Sequence, residues 1–214
     1  MSTSCAMTQR LQNAFSDGEY CLSVDGGSTT GARVYCYNMT TCDPREYLTL
    51  PAGPDNNYSE TFHTTGPRGS VRYSKLGLDL QNMYINSWDW TFADYSGVHE
   101  VNESPACDSF PLYGRAFSCA HFGSPRGRAE IDLTGTGFYM EDTLVWQLVG
   151  HPEQITDHVR TAQTFSGECT GTCGGCVPHD GTRMTNLAYN SAELTERVMP
   201  IAYRPDRDTN QCPL

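Results

Sequence analysis

The densest chemical constellation in the chain is Cys169-x3-Cys173-Gly174-Gly175-Cys176, followed by His179. A Cys-x2-Cys pair acts as a redox dithiol when a helix N-terminus lowers the pKa of its first thiol. Neither the double glycine nor Val177-Pro178 promises such a helix. Three cysteines and a histidine at this spacing could also hold a tetrahedral zinc ion. The simplest reading is structural: in an oxidising compartment the glycines let three cysteines in one tight turn reach disulfide partners elsewhere. Bridges lead, with metal and redox chemistry as the alternatives.

Hydrolytic chemistry leaves a weaker trace. The string nearest to the His-Glu-x-x-His zinc signature is His99-Glu100-Val101-Asn102-Glu103, which lacks the final ligand, and the flanking Gly97 and Pro105 suit a loop. No Gly-x-Ser-x-Gly nucleophile elbow is present. His63, His121, His151 and His158 are scattered, and an isolated histidine is most often a surface or hydrogen-bonded residue. His151 and His158 fall in a stretch that reads as a loop entering a strand. Trp88 and Trp90 read as one ring in the core and one near the rim, with a binding platform as the sharper option.

Ten cysteines among 214 residues exceed what a reduced cytosolic domain carries, and the number is even, as complete pairing requires. The candidates are Cys5, Cys21, Cys36, Cys42, Cys107, Cys119, Cys169, Cys173, Cys176 and Cys212. Asn38-Met39-Thr40, Asn57-Tyr58-Ser59 and Asn102-Glu103-Ser104 are glycosylation acceptors in polar stretches, which strengthens a secretory reading. Met1 to Ala6 has neither a basic nor an apolar leader region, so a mature domain, or a segment of a larger secreted chain, is expected. The formal charge of −11 and the lack of a Lys/Arg cluster argue against nucleic acid and polyanionic glycans as partners. No apolar run approaches the roughly 20 residues of a membrane span.

The elements that must position these residues are short strands. Tyr20, Leu22 and Val24 alternate before Asp25-Gly26-Gly27, a hairpin signal, and Val34 to Tyr37 resumes the strand. Tyr47 to Leu50 stops at Pro51. Leu76, Leu78 and Leu80 share one face, Ile131 and Leu133 another, and Phe138 and Met140 follow. Leu144, Trp146 and Leu148 alternate until Gly150 ends the run. The fold class is mainly β: a disulfide-stapled antiparallel domain, sandwich- or barrel-like, with a short C-terminal helix and tail. Asn190 can cap that helix with Glu193 three residues on, and it ends near Val198. Residues 1–178 form the domain, and 179–214 form an extension tied back by Cys212.

Four blocks open the chain: Asp17-Gly18-Glu19-Tyr20-x-Leu22, Val34-Tyr35-Cys36-x2-Met39, Pro44-Arg45-Glu46-Tyr47-x-Thr49-Leu50 and Asn57-Tyr58-Ser59-Glu60. After them come Asp89-x2-Phe92-Ala93, Cys119 through Gly127-Arg128, Ile131-Asp132-Leu133-x-Gly135-Thr136-Gly137, Trp146, and the Cys-Gly finish from Gly167 to Pro178. In this order they resemble the GON domain, the module that ends the chain in a subgroup of ADAMTS metalloproteases. The resemblance spans about Cys5 to Pro178. The segment between Glu60 and Ser74 is short and lacks cysteine, while Cys21, Cys42 and Cys107 look extra, so no bridge pattern carries over.

The resemblance implies a secreted, matrix-associated module that is ancillary to a zinc metalloendopeptidase and not itself catalytic. It implies an extracellular protein or matrix partner, or a role in secretory placement. It also allows a zinc site, for which His63 and His99 match family histidines and Asp89 could add an oxygen. Two alternatives stand beside it. A fibrinogen-like lectin domain opens with similar blocks, although Thr40-Thr41-Cys42-Asp43-Pro44 stands where such chains carry Gly-Gly-Gly-Trp-Thr. A zinc-dependent hydrolase in its own right is the other.

Overall fold

The computed structural model describes residues 2–24, 31–63, 69–97, 112–119, 126–140, 144–179 and 184–189, with the backbone alone at 63, 153, 173, 179 and 184–189. A helix, α1 (Cys5–Gln12), precedes the strands β1 (Gly18–Ser23), β2 (Gly31–Tyr37), β3 (Arg45–Thr49), β4 (Tyr58–His63), β5 (Gly69–Tyr73), β6 (Lys75–Asp79) and β7 (Tyr84–Asn86). There follow β8 (Ala93–Ser96), β9 (Ala116–Cys119), β10 (Gly127–Asp132), β11 (Phe138–Met140), β12 (Val145–Arg160), β13 (Thr164–His179) and β14 (Met184–Tyr189).

The first sheet runs β1-β2-β3-β6-β7-β14-β11, with every neighbouring pair antiparallel. The hairpin expected around Asp25-Gly26-Gly27 is present as β1 paired to β2, from Gly18 opposite Cys36 to Ser23 opposite Gly31. Alternation explains these strands. Ala32, Val34 and Cys36 are fully buried on β2, while Arg33, Tyr35 and Tyr37 between them point to the other face and stay partly exposed.

The second sheet orders β10-β13-β9-β4-β5-β8, and β12 lies against β13. β10 also pairs with β4, so β4, β10, β13 and β9 close a ring of pairings. The pair β4 and β9 is parallel; the others are antiparallel. One core joins the sheets: Leu22, Val34, Leu48, Leu76 and Leu78 from the first pack with Val71, Tyr73, Ile131 and Phe165 from the second. A smaller cluster, Ala116, Ala129, Cys169 and Cys176, sits inside the second sheet.

The mainly β, disulfide-stapled fold matches the sequence reading, with three differences. The first is α1. Its Ser4 Oγ accepts from the Met7 N–H at 3.1 Å, and Asn13 ends it in a left-handed conformation with φ 51°. The second is β12, which does not stop at Gly150. Gly150 (φ 72°) and Asp157 (φ 48°) sit at or inside register shifts that absorb extra residues, so pairing with β13 resumes through Arg160. His151 and His158 therefore lie on a strand. The third is β14, which places 184–189 between β7 and β11, beyond the point where the strand rhythm was expected to end. The helix expected from Asn190 lies outside the described residues. Among the described residues no helix is long and apolar enough to cross a membrane.

Candidate interaction face

On the first sheet the residues pointing away from the core form a continuous polar and aromatic face. The register sets Glu19, Tyr35, Tyr47 and Gly77 side by side across β1, β2, β3 and β6. Thr49 stands opposite Lys75, and Tyr37 opposite Arg45. The connection between β7 and β8 folds over this row and delivers Asp89, Thr91 and Phe92. Phe92 meets Tyr35, Tyr37 and Tyr47 edge to face, with centroids 5.5, 5.2 and 4.8 Å apart.

Gly77 makes this cover possible. A Cβ there would stand 3.1 Å from both Cβ and Oδ2 of Asp89, so the bare backbone leaves room for the carboxylate. The Tyr47 hydroxyl donates to Asp89 Oδ2 at 2.8 Å, and the Thr91 N–H donates to Oδ1 at 2.9 Å. Burial pushes the Asp89 carboxyl up, but the Thr91 and Tyr47 hydrogen bonds and the charge of Arg45 outweigh it and leave the pKa lowered.

A charged chain crosses the same face. Lys75 Nζ donates to Thr49 Oγ1 at 3.0 Å, Thr49 Oγ1 donates to Glu19 Oε1 at 2.5 Å, and Arg33 Nε lies 3.4 Å from Glu19 Oε2. The ammonium also sits 4.5 Å from the Tyr35 ring centroid and 5.7 Å from that of Phe92. Desolvation lowers the Lys75 pKa, with Glu19 opposing and Arg33 adding to the effect. Burial raises the pKa of Tyr35 and of Tyr47, and the Tyr47 phenol is the one that donates to Asp89. Trp88, at the margin of this cover, is 55% exposed, whereas Trp90 packs against the core. One ring inside and one at the rim is the arrangement expected from the sequence.

The sequence-derived sites fall apart in space. The zinc set is described only at Asp89, whose carboxylate is taken up by Tyr47 and Thr91; the His63 side chain and His99 lie outside the described residues. Among the described residues no group of three or more His, Cys, Asp or Glu could hold a metal ion. Asn102, Cys107 and Cys212 also lie outside them.

Cys5 bridges Cys36, tying α1 to β2, and Cys21 and Cys119 are disulfide-bonded as well. Cys169 and Cys176 bridge each other, so these two do not reach out to distant partners as expected. Seven residues of extended strand would span about 23 Å, yet their Cα atoms are 6.0 Å apart, so the segment doubles on itself where β13 loses register against β9. Cys42 corrects the expectation of full pairing: it is free and exposed, in the turn between β2 and β3.

Asn57, an expected glycan acceptor, lies inside the fold. It is fully buried, and its Oδ1 accepts from the Tyr113 hydroxyl at 2.6 Å and the Asp132 N–H at 2.9 Å, while its Nδ2 donates to the Gly53 carbonyl at 3.0 Å.

A model of the GON domain family matches residues 2–68 and 63–187. The chain belongs to the GON domain family. The match runs past Pro178 into β14. The chain is 30% identical over 203 residues to human "A disintegrin and metalloproteinase with thrombospondin motifs 20", covering 83% of this chain and 10% of that protein. It is 26% identical over 228 residues to Caenorhabditis elegans "A disintegrin and metalloproteinase with thrombospondin motifs gon-1", covering 90% of this chain and again 10% of the relative. The chain thus spans about a tenth of the length of the curated relatives it matches. No solved structure matches it.

In this GON domain the face built by Tyr35, Tyr37, Tyr47 and Phe92 was missed by searching for catalytic strings. Its signal was the second half of the alternation, Arg33-x-Tyr35-x-Tyr37, opposite the buried Ala32-x-Val34-x-Cys36.

Proposed function

We propose that this GON domain is a non-catalytic extracellular module of an ADAMTS-like protein, and that it holds a protein of the matrix against the outer face of its first sheet. The family membership supports the ancillary role. The observation that carries the binding reading is the composition of that face: Tyr35, Tyr37 and Phe92 partly exposed over the buried Tyr47, with Arg33, Arg45 and the exposed Trp88 of the β7–β8 connection. Tyrosine, tryptophan and arginine dominate the residues that carry binding energy at protein interfaces. Rigid aromatic side chains also lose little rotamer entropy on docking.

The test is retention of the purified chain on decellularised matrix. Replacing Trp88 and Arg45 together by alanine removes two exposed side chains without touching the core, and circular dichroism checks the fold. Retention should fall about tenfold, the loss of roughly 1.4 kcal/mol of binding. Unchanged retention, or casein cleavage by the wild-type chain that a chelator abolishes, would overturn the proposal.

A further inference from the structure

Two Asn-x-Ser/Thr sequons fall on described residues, and their surroundings are opposite. At Asn57-Tyr58-Ser59 both polar ends are consumed: Asn57 makes the three bonds above, and the fully buried Ser59 donates its hydroxyl to the Leu112 carbonyl at 2.6 Å. At Asn38-Met39-Thr40 the middle residue is the anchor. Met39 is fully buried, its N–H bonded to Asp17 Oδ1 at 2.7 Å, which fixes the backbone on either side of it. Asn38 is partly exposed with φ 65°, a left-handed conformation that asparagine tolerates, and Thr40, Thr41, Cys42 and Asp43 after it are exposed. Its Nδ2 makes a long bond to the Asp43 carbonyl, 3.4 Å.

We propose that Asn38 carries an N-linked glycan and that Asn57 stays bare. The proposal rests on the extracellular reading above, because transfer occurs in the secretory pathway. The donor class is an oligosaccharide linked to a lipid pyrophosphate. The Asn38 Nδ2 attacks the anomeric carbon, a C–N bond forms, the C–O bond to pyrophosphate breaks with its electron pair leaving on the lipid pyrophosphate, and the proton lost from Nδ2 passes to a base of the transferase and on to solvent. The substituted amide keeps one N–H, so the bond to Asp43 survives the modification. At Asn57 one N–H would also remain, but the fully buried Nδ2 faces the Gly53 carbonyl and is closed off from solvent, which leaves a sugar no room.

The full chain, expressed behind a cleavable leader in a glycosylating host, is digested with peptide:N-glycosidase and mapped by mass spectrometry, in the secreted and the cell-retained pools alike. The expected result is deglycosylation-dependent conversion at Asn38 in most chains, none at Asn57 in chains with Cys5–Cys36 formed, and loss of the Asn38 glycan in both Asn38→Gln and Thr40→Ala. A bare Asn38, or a glycan on Asn57 in oxidised chains, overturns the proposal. Retention in the cell with Asn38 glycosylated leaves it standing and counts against the extracellular reading instead.

Discussion

Across β1, β2, β3 and β6 the residues of the first sheet oppose one another in unbroken register, with no slip between neighbours. β13, at the centre of the second sheet, pairs with β10 through Cys169 and with β9 from Thr172, and its pairing to β12 slips three times. The first sheet is held by many interchangeable side-chain pairs, so no single one is decisive. The second depends on a few fixtures: the Cys169–Cys176 bridge at the change of neighbour, and Asn57, which binds the Gly53 turn, Tyr113 and β10 at once. Where a ladder is irregular, specific polar and covalent contacts replace pattern.

The bridges give the largest test of this contrast. Cys5–Cys36 closes 31 residues and Cys169–Cys176 closes 7. If each acts by restricting the unfolded chain, removal costs about 4 kcal/mol for the first and about 2 kcal/mol for the second. Urea unfolding of the Cys5→Ala/Cys36→Ala and Cys169→Ala/Cys176→Ala variants should show that order. The reverse order would mean that the short bridge acts on the folded β13 itself, and the reliance of the second sheet on fixtures would be stronger than chain entropy allows.

Asn57 comes next. Replacing it by alanine strands the buried Tyr113 hydroxyl and the Asp132 N–H together and should cost about 3 kcal/mol. In a chain of this length that lowers the melting temperature by roughly 10 °C. Its neighbour Asn56, whose Nδ2 donates to the Ala52 carbonyl in an exposed position, should tolerate alanine within about 0.5 kcal/mol. Equal shifts for the two variants in differential scanning calorimetry would remove Asn57 from its role as a fixture.

The same contrast explains what the sequence made legible. Tyr20, Leu22, Val34, Leu76 and Leu78 announced the first sheet because half-buried strands have a period of two. α1 escaped notice because it spans eight residues and buries only Cys5 and Thr8; distant partners secure it, Glu46 Oε1 accepting from the Cys5 N–H at 2.7 Å and the bridge to Cys36. The continuation of β12 was hidden by Gly150 and Pro152, which mark a turn in most contexts and a bulged edge strand here. The interaction face needed Phe92, 57 residues after Tyr35, to close over it. The burial of Asn57 is not legible in its sequon, because a sequon is a local string whereas burial is a property of the whole fold.

The smallest expected effect is a pair of opposite acid responses within the first sheet. Asp89 has a lowered pKa in the fold, so its contribution is present above its unfolded value, about 3.9, and is lost as pH falls through the folded one. Glu46 is the reverse. Burial beneath α1 raises its pKa, only partly offset by the Cys5 N–H. Relative to an unperturbed carboxyl its stabilising contribution is therefore complete below about 4.3 and disappears as pH rises through the folded pKa. In urea midpoints taken from pH 7 down to pH 3, Glu46→Gln should lose the gain on mild acidification, and the deficit of Asp89→Asn against wild type should narrow below about pH 4, where wild-type Asp89 itself takes up a proton. Tyr47→Phe removes one donor to Asp89 and should bring that acid loss to a slightly higher pH. A deficit of Asp89→Asn that stays constant from pH 7 to pH 3 would show that the cover over Gly77 is held by the Phe92 ring contacts alone, and that the carboxylate contributes nothing as a charge.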